Sequence, residues 1–222
     1  MDLSAIEVLT TLDERVQPRH TALLVVDMQN DYCSAGGASD RNGRDLTQIQ
    51  AIYPAVVGLI SSARRVAVPI IFTKYTVGPG TAGLSGPEIL RRGMNFAGLD
   101  STVKGTWGHE LINEVPYVDG NDIVIEKRRL SAFTGTDLDL ILRSRGVKTL
   151  VVGGVVTQGC VESTVREAAN SDYYLAVAED CVASTDAQAH AMALRSMATV
   201  LRYADAVVSS DRILSIWDAA AE

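Results

Sequence analysis

Along this chain, short apolar runs alternate with longer stretches of helical period. Near-continuous runs rich in Val and Ile at 22–26, 69–73, 122–126, 149–153, 174–178 and 204–209 predict six strands. Runs without strict polar alternation mark strands covered on both faces, as in a parallel sheet. Between them the 3.6-residue period predicts helices over 46–66, 136–145, 161–171, 187–201 and 212–220. In the third of these, Val161, Thr164, Val165 and Ala168 share one stripe while Glu162, Arg166 and Glu167 lie elsewhere around the axis. Strand-helix alternation implies right-handed crossovers. The expected fold is α/β: a three-layer αβα sandwich around a six-stranded, mostly parallel sheet in the doubly wound order 3-2-1-4-5-6.

Residues 75–119 break this rhythm, with six Gly or Pro between Gly78 and Pro87 and two further glycines at Gly105 and Gly108. A connection of that length is commonly a lid or binding segment, so we read it as a pocket-shaping insertion in a single domain spanning 1–222. The formal charge of −7 argues against a surface that neutralises nucleic-acid phosphates. No apolar stretch approaches the roughly 18 residues of a membrane span, and the first twenty residues lack the layout of a signal peptide. Three cysteines, Cys33, Cys160 and Cys181, are an odd number without C-x-x-C spacing, which suggests neither a disulfide framework nor a zinc site. His20, His109 and His190 have no ligand spacing either. A cytoplasmic protein without metal or cofactor is expected.

In an open parallel sheet, ligands bind beyond the carboxyl ends of the strands. Asp27 follows the first predicted strand, Lys127 the third, and Cys160 sits in the turn leaving the fourth, so an acid, a base and a thiol share one rim. Each alone has an ordinary alternative: Asp27 a turn residue, Lys127 part of a solvated run with Arg128 and Arg129, Cys160 a small buried hydrophobe. Taken together they suggest nucleophilic chemistry. A helix beginning near Cys160, after Gly153, Gly154 and Gly159, would direct unpaired N–H groups at the sulfur, and Lys127 would add to the effect. Both favour a thiolate that alkylates well below pH 8. Cys33 has no helix start beside it, and Cys181 follows Glu179 and Asp180, which oppose a thiolate.

Three separated segments resemble the isochorismatase-like cysteine hydrolases: Leu24-Val25-Val26-Asp27-Met28-Gln29-Asn30-Asp31-Tyr32, then Glu126-Lys127 with Ser131-Ala132-Phe133, then Gly154-Val155-Val156-Thr157 to Cys160-Val161-Glu162-Ser163-Thr164. The likeness spans nearly the whole chain. It implies a catalytic Asp27, Lys127 and Cys160, a non-proline cis peptide between Val155 and Val156, and an oxyanion hole made by the N–H groups of Val156 and Cys160. It also implies a homodimer or homotetramer. Nicotinamidases of this superfamily carry a metal-binding Asp-Trp-His segment where this chain has Thr73-Lys74-Tyr75-Thr76. The siderophore isochorismatases lack the cysteine. The segments Lys104-Gly105-Thr106-Trp107 and Ile141-Leu142-Arg143-Ser144-Arg145-Gly146 resemble ureidoacrylate amidohydrolases, and Gly159 before the nucleophile is similar to N-carbamoylsarcosine amidases. A small amide or ureido substrate, cleaved at C–N through a thioester, is the implied chemistry.

Tyr75, Trp107 and Thr157 are the candidate substrate-binding residues, from their places on the rim or the insertion, with Lys74 or Arg92 as a partner for a substrate carboxylate. Two other readings stand beside this one. Cys160 could pair with His190 or His109 as a thiol protease-like dyad, or the crevice could bind a small ligand without turning it over.

Overall fold

The computed structural model describes residues 6–93 and 100–221. Six strands form one parallel sheet: β1 (Thr21–Val26), β2 (Ile70–Tyr75), β3 (Ile123–Lys127), β4 (Thr149–Val155), β5 (Tyr174–Ala183) and β6 (Val207–Val208), in the order β3-β2-β1-β4-β5-β6. Every residue of β1, β2 and β4 is buried, as their unbroken apolar character requires. Successive side chains point to opposite faces, so Leu23 and Val25 feed one core while Ala22, Leu24 and Val26 feed the other. Helices α1 (Tyr53–Arg65) and α6 (Ser210–Ala220) cover the first face with Val56, Leu59, Ile60, Ile213 and the fully buried Trp217. Helices α3 (Leu138–Ser144), α4 (Glu162–Asn170) and α5 (Ala187–Leu201) cover the second with Leu138, Leu142, Val165, Ala168 and Met197. This is the αβα sandwich and strand order expected from the pattern.

Several boundaries differ, each for a physical reason. The helix expected over 46–66 is two, Thr47–Ala51 and α1, because Pro54 lies in the first turn of α1, where its missing N–H is harmless, and cannot continue a preceding helix. The last strand contracts to two residues on the sheet edge, where pairing comes from β5 alone. The helix expected to begin near Cys160 begins at Glu162. Ahead of it Thr157–Val161 forms a wide turn closed by an i→i+5 bond from Val161 N–H to Val156 C=O at 3.3 Å. Among the described residues no helix is long and apolar enough to cross a membrane.

The insertion contributes α2 (Gly86–Arg92), and it is fastened to the segment after β1 by polar side chains. Gln29 donates to the carbonyls of Tyr75 (3.1 Å) and His109 (2.8 Å) and accepts from Tyr75 N–H (2.7 Å). Asn30 donates to the Trp107 carbonyl, and the Asp31 carboxylate accepts from the N–H groups of Thr102 and Ala38. Buried amides and carboxylates with all these bonds made act as clamps, since breaking one leaves a desolvated group unpaired.

At Gly154 the backbone has φ +111°, and a Cβ there would lie 2.1 Å from the Val26 carbonyl oxygen. Strand β1 thus meets β4 at a point only glycine permits, one residue before Asp27. Gly154→Ala should destabilise the fold by on the order of 3 kcal/mol through strain and overpacking. Urea denaturation followed by tryptophan fluorescence checks this; an unchanged midpoint would contradict the close approach.

Candidate active site

The parallel register sets the site. Val26 pairs with Gly154 and Tyr75 with Lys127, so the carboxyl ends of β1, β3 and β4 finish level around one point. Asp27, immediately after β1, adopts φ 50°, a left-handed conformation uncommon for a residue with a side chain and one that accumulates at functional sites. Its N–H bonds to Thr73, and Thr73 Oγ1 donates to Asp27 Oδ1 at 2.5 Å. Lys127 is the last residue of β3 rather than the first beyond it. Its Nζ lies 2.7 Å from Asp27 Oδ2 and donates to Cys160 Sγ at 3.1 Å and to the Arg129 carbonyl at 3.1 Å. Both charged side chains are wholly inaccessible to solvent. Asp27 Oδ2 touches the ammonium but receives no directed hydrogen bond among the described residues. That leaves one oxygen of the acid able to take a proton.

The electrostatics differ from the sequence expectation. Burial pushes the Cys160 thiol up to about 12; Lys127 opposes this, while Asp27 adds to it. Desolvation inside the wide turn and the nearby carboxylate thus act against the thiolate expected from a helix N-terminus. Burial also works against the Lys127 ammonium, but Asp27 and Cys160 outweigh it and hold the amine above its ordinary value. Cys33 and Cys181 are buried and raised too, by desolvation first, so exposure and acidity do not distinguish Cys160. Its contacts do, together with the cavity in front of it.

That cavity, of about 410 Å³, is lined by Cys160, Val155, Val156, Tyr32, Tyr75 and Gln158, together with Ser39, Arg44, Arg91, Arg92, Ser101 and Asp186. The Val155–Val156 peptide is cis. Tyr75 joins triad and insertion: Lys127 Nζ and the Arg92 guanidinium lie 4.5 and 4.6 Å from its ring centre, and its hydroxyl donates to Glu88 of α2. Burial disfavours the Glu88 carboxylate, but Tyr75, Arg91 and Arg92 together hold it below the usual range. Burial also raises the Tyr75 phenol, with the Glu88 hydrogen bond next, so it stays a donor.

The other sequence candidates fall differently. Trp107 is 53% exposed and lies outside the residues lining the cavity; its carbonyl serves the Asn30 clamp. Thr157 is buried behind the lining, its hydroxyl 2.8 Å from His190 Nδ1. Lys74 is paired with Glu110 at 2.7 Å, beside a separate cavity. His109 Nε2 is engaged by the Thr76 hydroxyl. Thr73, Tyr32, Glu88 and Arg44 were given no role from the sequence. The one local signal was for Thr73, a polar residue inside an apolar strand; the others depend on contacts between distant segments.

An Isochorismatase domain model matches residues 21–210. Ureidoacrylate amidohydrolase RutB of Enterobacter sp. (strain 638) is 36% identical over 187 residues, covering 78% of this chain and 81% of that protein. Among solved structures, N-carbamoylsarcosine amidase from Thermoplasma acidophilum superposes with a TM-score of 0.66 at 29% identity, covering 86% of this chain and 97% of that one. A cysteine hydrolase from Pseudomonas syringae pv. phaseolicola 1448A gives a TM-score of 0.80 at 23% identity over 97% and 99%, a likeness of fold. With an acid, an amine and a thiol brought into mutual contact at the carboxyl edge of the sheet, and a domain match across both cores, the chain belongs to the isochorismatase family of hydrolases.

Proposed function

We propose that this protein is a cysteine-dependent amidohydrolase that cleaves the C–N bond of a small amide or ureido compound through a thioester. The observation that carries the reading is the contact of Lys127 Nζ with both Asp27 Oδ2 and Cys160 Sγ, with Cys160 itself lining a cavity. The activities named for the relatives, amide and carbamoyl hydrolysis, support the same chemistry.

Because Cys160 rests as a thiol, attack and deprotonation go together. As Sγ bonds to the substrate carbonyl carbon, its proton passes to Asp27 Oδ2, and the carbonyl π electrons move to oxygen, facing the backbone N–H groups of Val156 and Cys160. Donors of this kind contribute roughly 3 to 4 kcal/mol each to the transition state. Asp27 then gives that proton to the nitrogen as the C–N bond breaks, releasing ammonia or an amine and leaving a thioester. A water, deprotonated by Asp27, adds to the thioester; its collapse expels sulfur, which recovers the proton. Lys127 keeps its positive charge throughout, opposite Asp27 in the resting and thioester states and opposite the substrate oxyanion in each tetrahedral intermediate. Asp27, Cys160 and the attacking water account for every proton and electron pair in this cycle, so the scheme calls for neither metal nor organic cofactor. Of the substrate-binding candidates, Tyr75 lines the cavity, Thr157 lies behind the lining, and Trp107 stays outside it. The reading takes the chain as one domain working in the cytoplasm, as a homodimer or homotetramer by resemblance. A cysteine–histidine dyad is disfavoured, because His190 and His109 are bonded to Thr157 and Thr76.

Maleamate, ureidoacrylate, biuret, N-carbamoylsarcosine and simple amides, assayed for ammonia release, should include at least one good substrate. Cys160→Ala and Lys127→Ala should each lower kcat by roughly 10⁴-fold or more. Loss with His190→Ala but not with Lys127→Ala would overturn the triad.

The neutral thiol has a second consequence. The Asp27 charge raises the thiol, so its removal lowers it and leaves sulfur as the remaining counter-ion for buried Lys127. Asp27→Asn should therefore alkylate faster with iodoacetamide at pH 7, by about tenfold for each unit the thiol falls, while hydrolysis is lost. Slower alkylation than in the native protein would contradict the proton assignment.

A further inference from the structure

The cavity before Cys160 is cationic although the chain carries a net charge of −7. Arg44, Arg91 and Arg92 line it against a single acid, Asp186. Asp186 is committed elsewhere, its Oδ1 accepting the Ala189 N–H as the cap of α5. Arg91 and Arg92 converge on one carboxylate, Glu88, at 2.5 and 3.0 Å, and Arg92 also reaches Ser101 and stacks on Tyr75.

Arg44 is different. It is exposed, it lines the same cavity, and its guanidinium has no hydrogen bond or ion pair among the described residues. The acids near it in sequence are already engaged. Asp40 accepts from Gly36 N–H and Asp45 from Thr47 N–H, while Asp31 is held by Thr102, Ala38 and Arg41. The Arg44 N–H bonds to the Ser39 carbonyl at 3.1 Å, closing the turn that brings Ser39 to the same lining. A planar, permanently charged fork beside a hydroxyl, at the mouth of a cavity sized for a small molecule, suits a carboxylate.

Resting on the amidohydrolase reading, we infer that the substrate is an acid, with a carboxylate at the end remote from the scissile carbonyl, and that Arg44, with Ser39 beside it, receives that carboxylate. Arg91 and Arg92, which share the Glu88 carboxylate, add to the positive potential without being the direct partner. Arg44 then sets specificity: it holds the acid end while the amide lies over Cys160.

Binding can be read apart from turnover by titrating the Cys160→Ala protein with maleamate and with its neutral counterpart maleamide in a calorimeter. The acid should bind at least tenfold more tightly, and the ratio should shrink as salt rises from about 0.05 to 0.5 M, as screening of a partly exposed pair requires. Arg44→Met in the same background should bring the ratio close to one, and Arg44→Lys, which keeps the charge but not the fork, should restore part of it. Equal affinities, a preference that survives Arg44→Met, or no binding of either compound would overturn the inference. Hydrolysis by the native protein without preference for acids would remove this inference and leave the amidohydrolase reading standing. Selective binding of the acid with no hydrolysis of any amide would do the reverse.

Discussion

The buried ion pair between Asp27 and Lys127 is the constraint around which the site is arranged. Two charges removed from water are tolerated only when each satisfies the other, and losing one partner from such a pair typically costs about 3 to 5 kcal/mol. Each charge also has a fixed neighbour: Thr73 Oγ1 on the acid, the Arg129 carbonyl on the amine. The pair is possible because β1 and β3, separated by β2 in the sheet, end at the same height. Their side chains therefore meet in front of the carboxyl end of β2, beneath Tyr75. Cys160 enters this arrangement as a third, neutral member, delivered by the wide turn after β4. A pre-formed thiolate would compete with Asp27 for one ammonium. In the proposed cycle, keeping the proton on sulfur until a carbonyl carbon is in place leaves the resting ion pair undisturbed.

The same logic extends outward through Tyr75. Its ring lies near Lys127 and Arg92, and its hydroxyl is tied to Glu88, so the insertion helix α2 and the Lys127 amine share one aromatic side chain. The clamps at Gln29, Asn30 and Asp31 fasten the insertion to the backbone that carries Asp27. Gly108 is part of this joint: a Cβ there would overlap the Asp31 carboxylate at 2.1 Å. The residues that shape the cavity and the residues that do the chemistry are thus held by the same few hydrogen bonds. Rearranging the insertion would disturb the ion pair's surroundings.

How far all this could be read from the chain varies with the range of the interaction. Strands buried on both faces announce themselves by composition, and β1, β4 and the strand order were legible for that reason. Pro54 carried a local signal for a helix break that the apolar period on either side of it obscured. The wide turn before α4 had no such mark, since its glycines permit many geometries and the i→i+5 bond is settled by packing against β4 and α5. Asp27, Lys127 and Cys160 were legible as a set because the ends of parallel strands share a rim. The ionisation of Cys160 was not, because sequence displays the neighbours along a chain and not the depth of burial. Trp107, conspicuous between glycines, serves the fold through its backbone, while Arg44, in an unremarkable polar stretch, lines the cavity.

A charged side chain in contact with structure normally finds a counter-ion, and the arginines around this cavity show how much that rule can reveal. Arg64 has Asp122, Arg65 has Asp218 and Arg166 has Glu162, each away from Cys160. Around the cavity the pattern is broken in one direction. The acids that could neutralise Arg44 are all spent on backbone N–H groups or other partners, and Glu88 is divided between two guanidiniums. A solvated arginine on an acidic protein is unremarkable by itself. An arginine without a charged partner among the described residues, lining the same cavity as Cys160, is a different matter. The ion pair buried beside the sulfur is internally neutral, so it does not cancel the attraction of that cavity for an approaching acid.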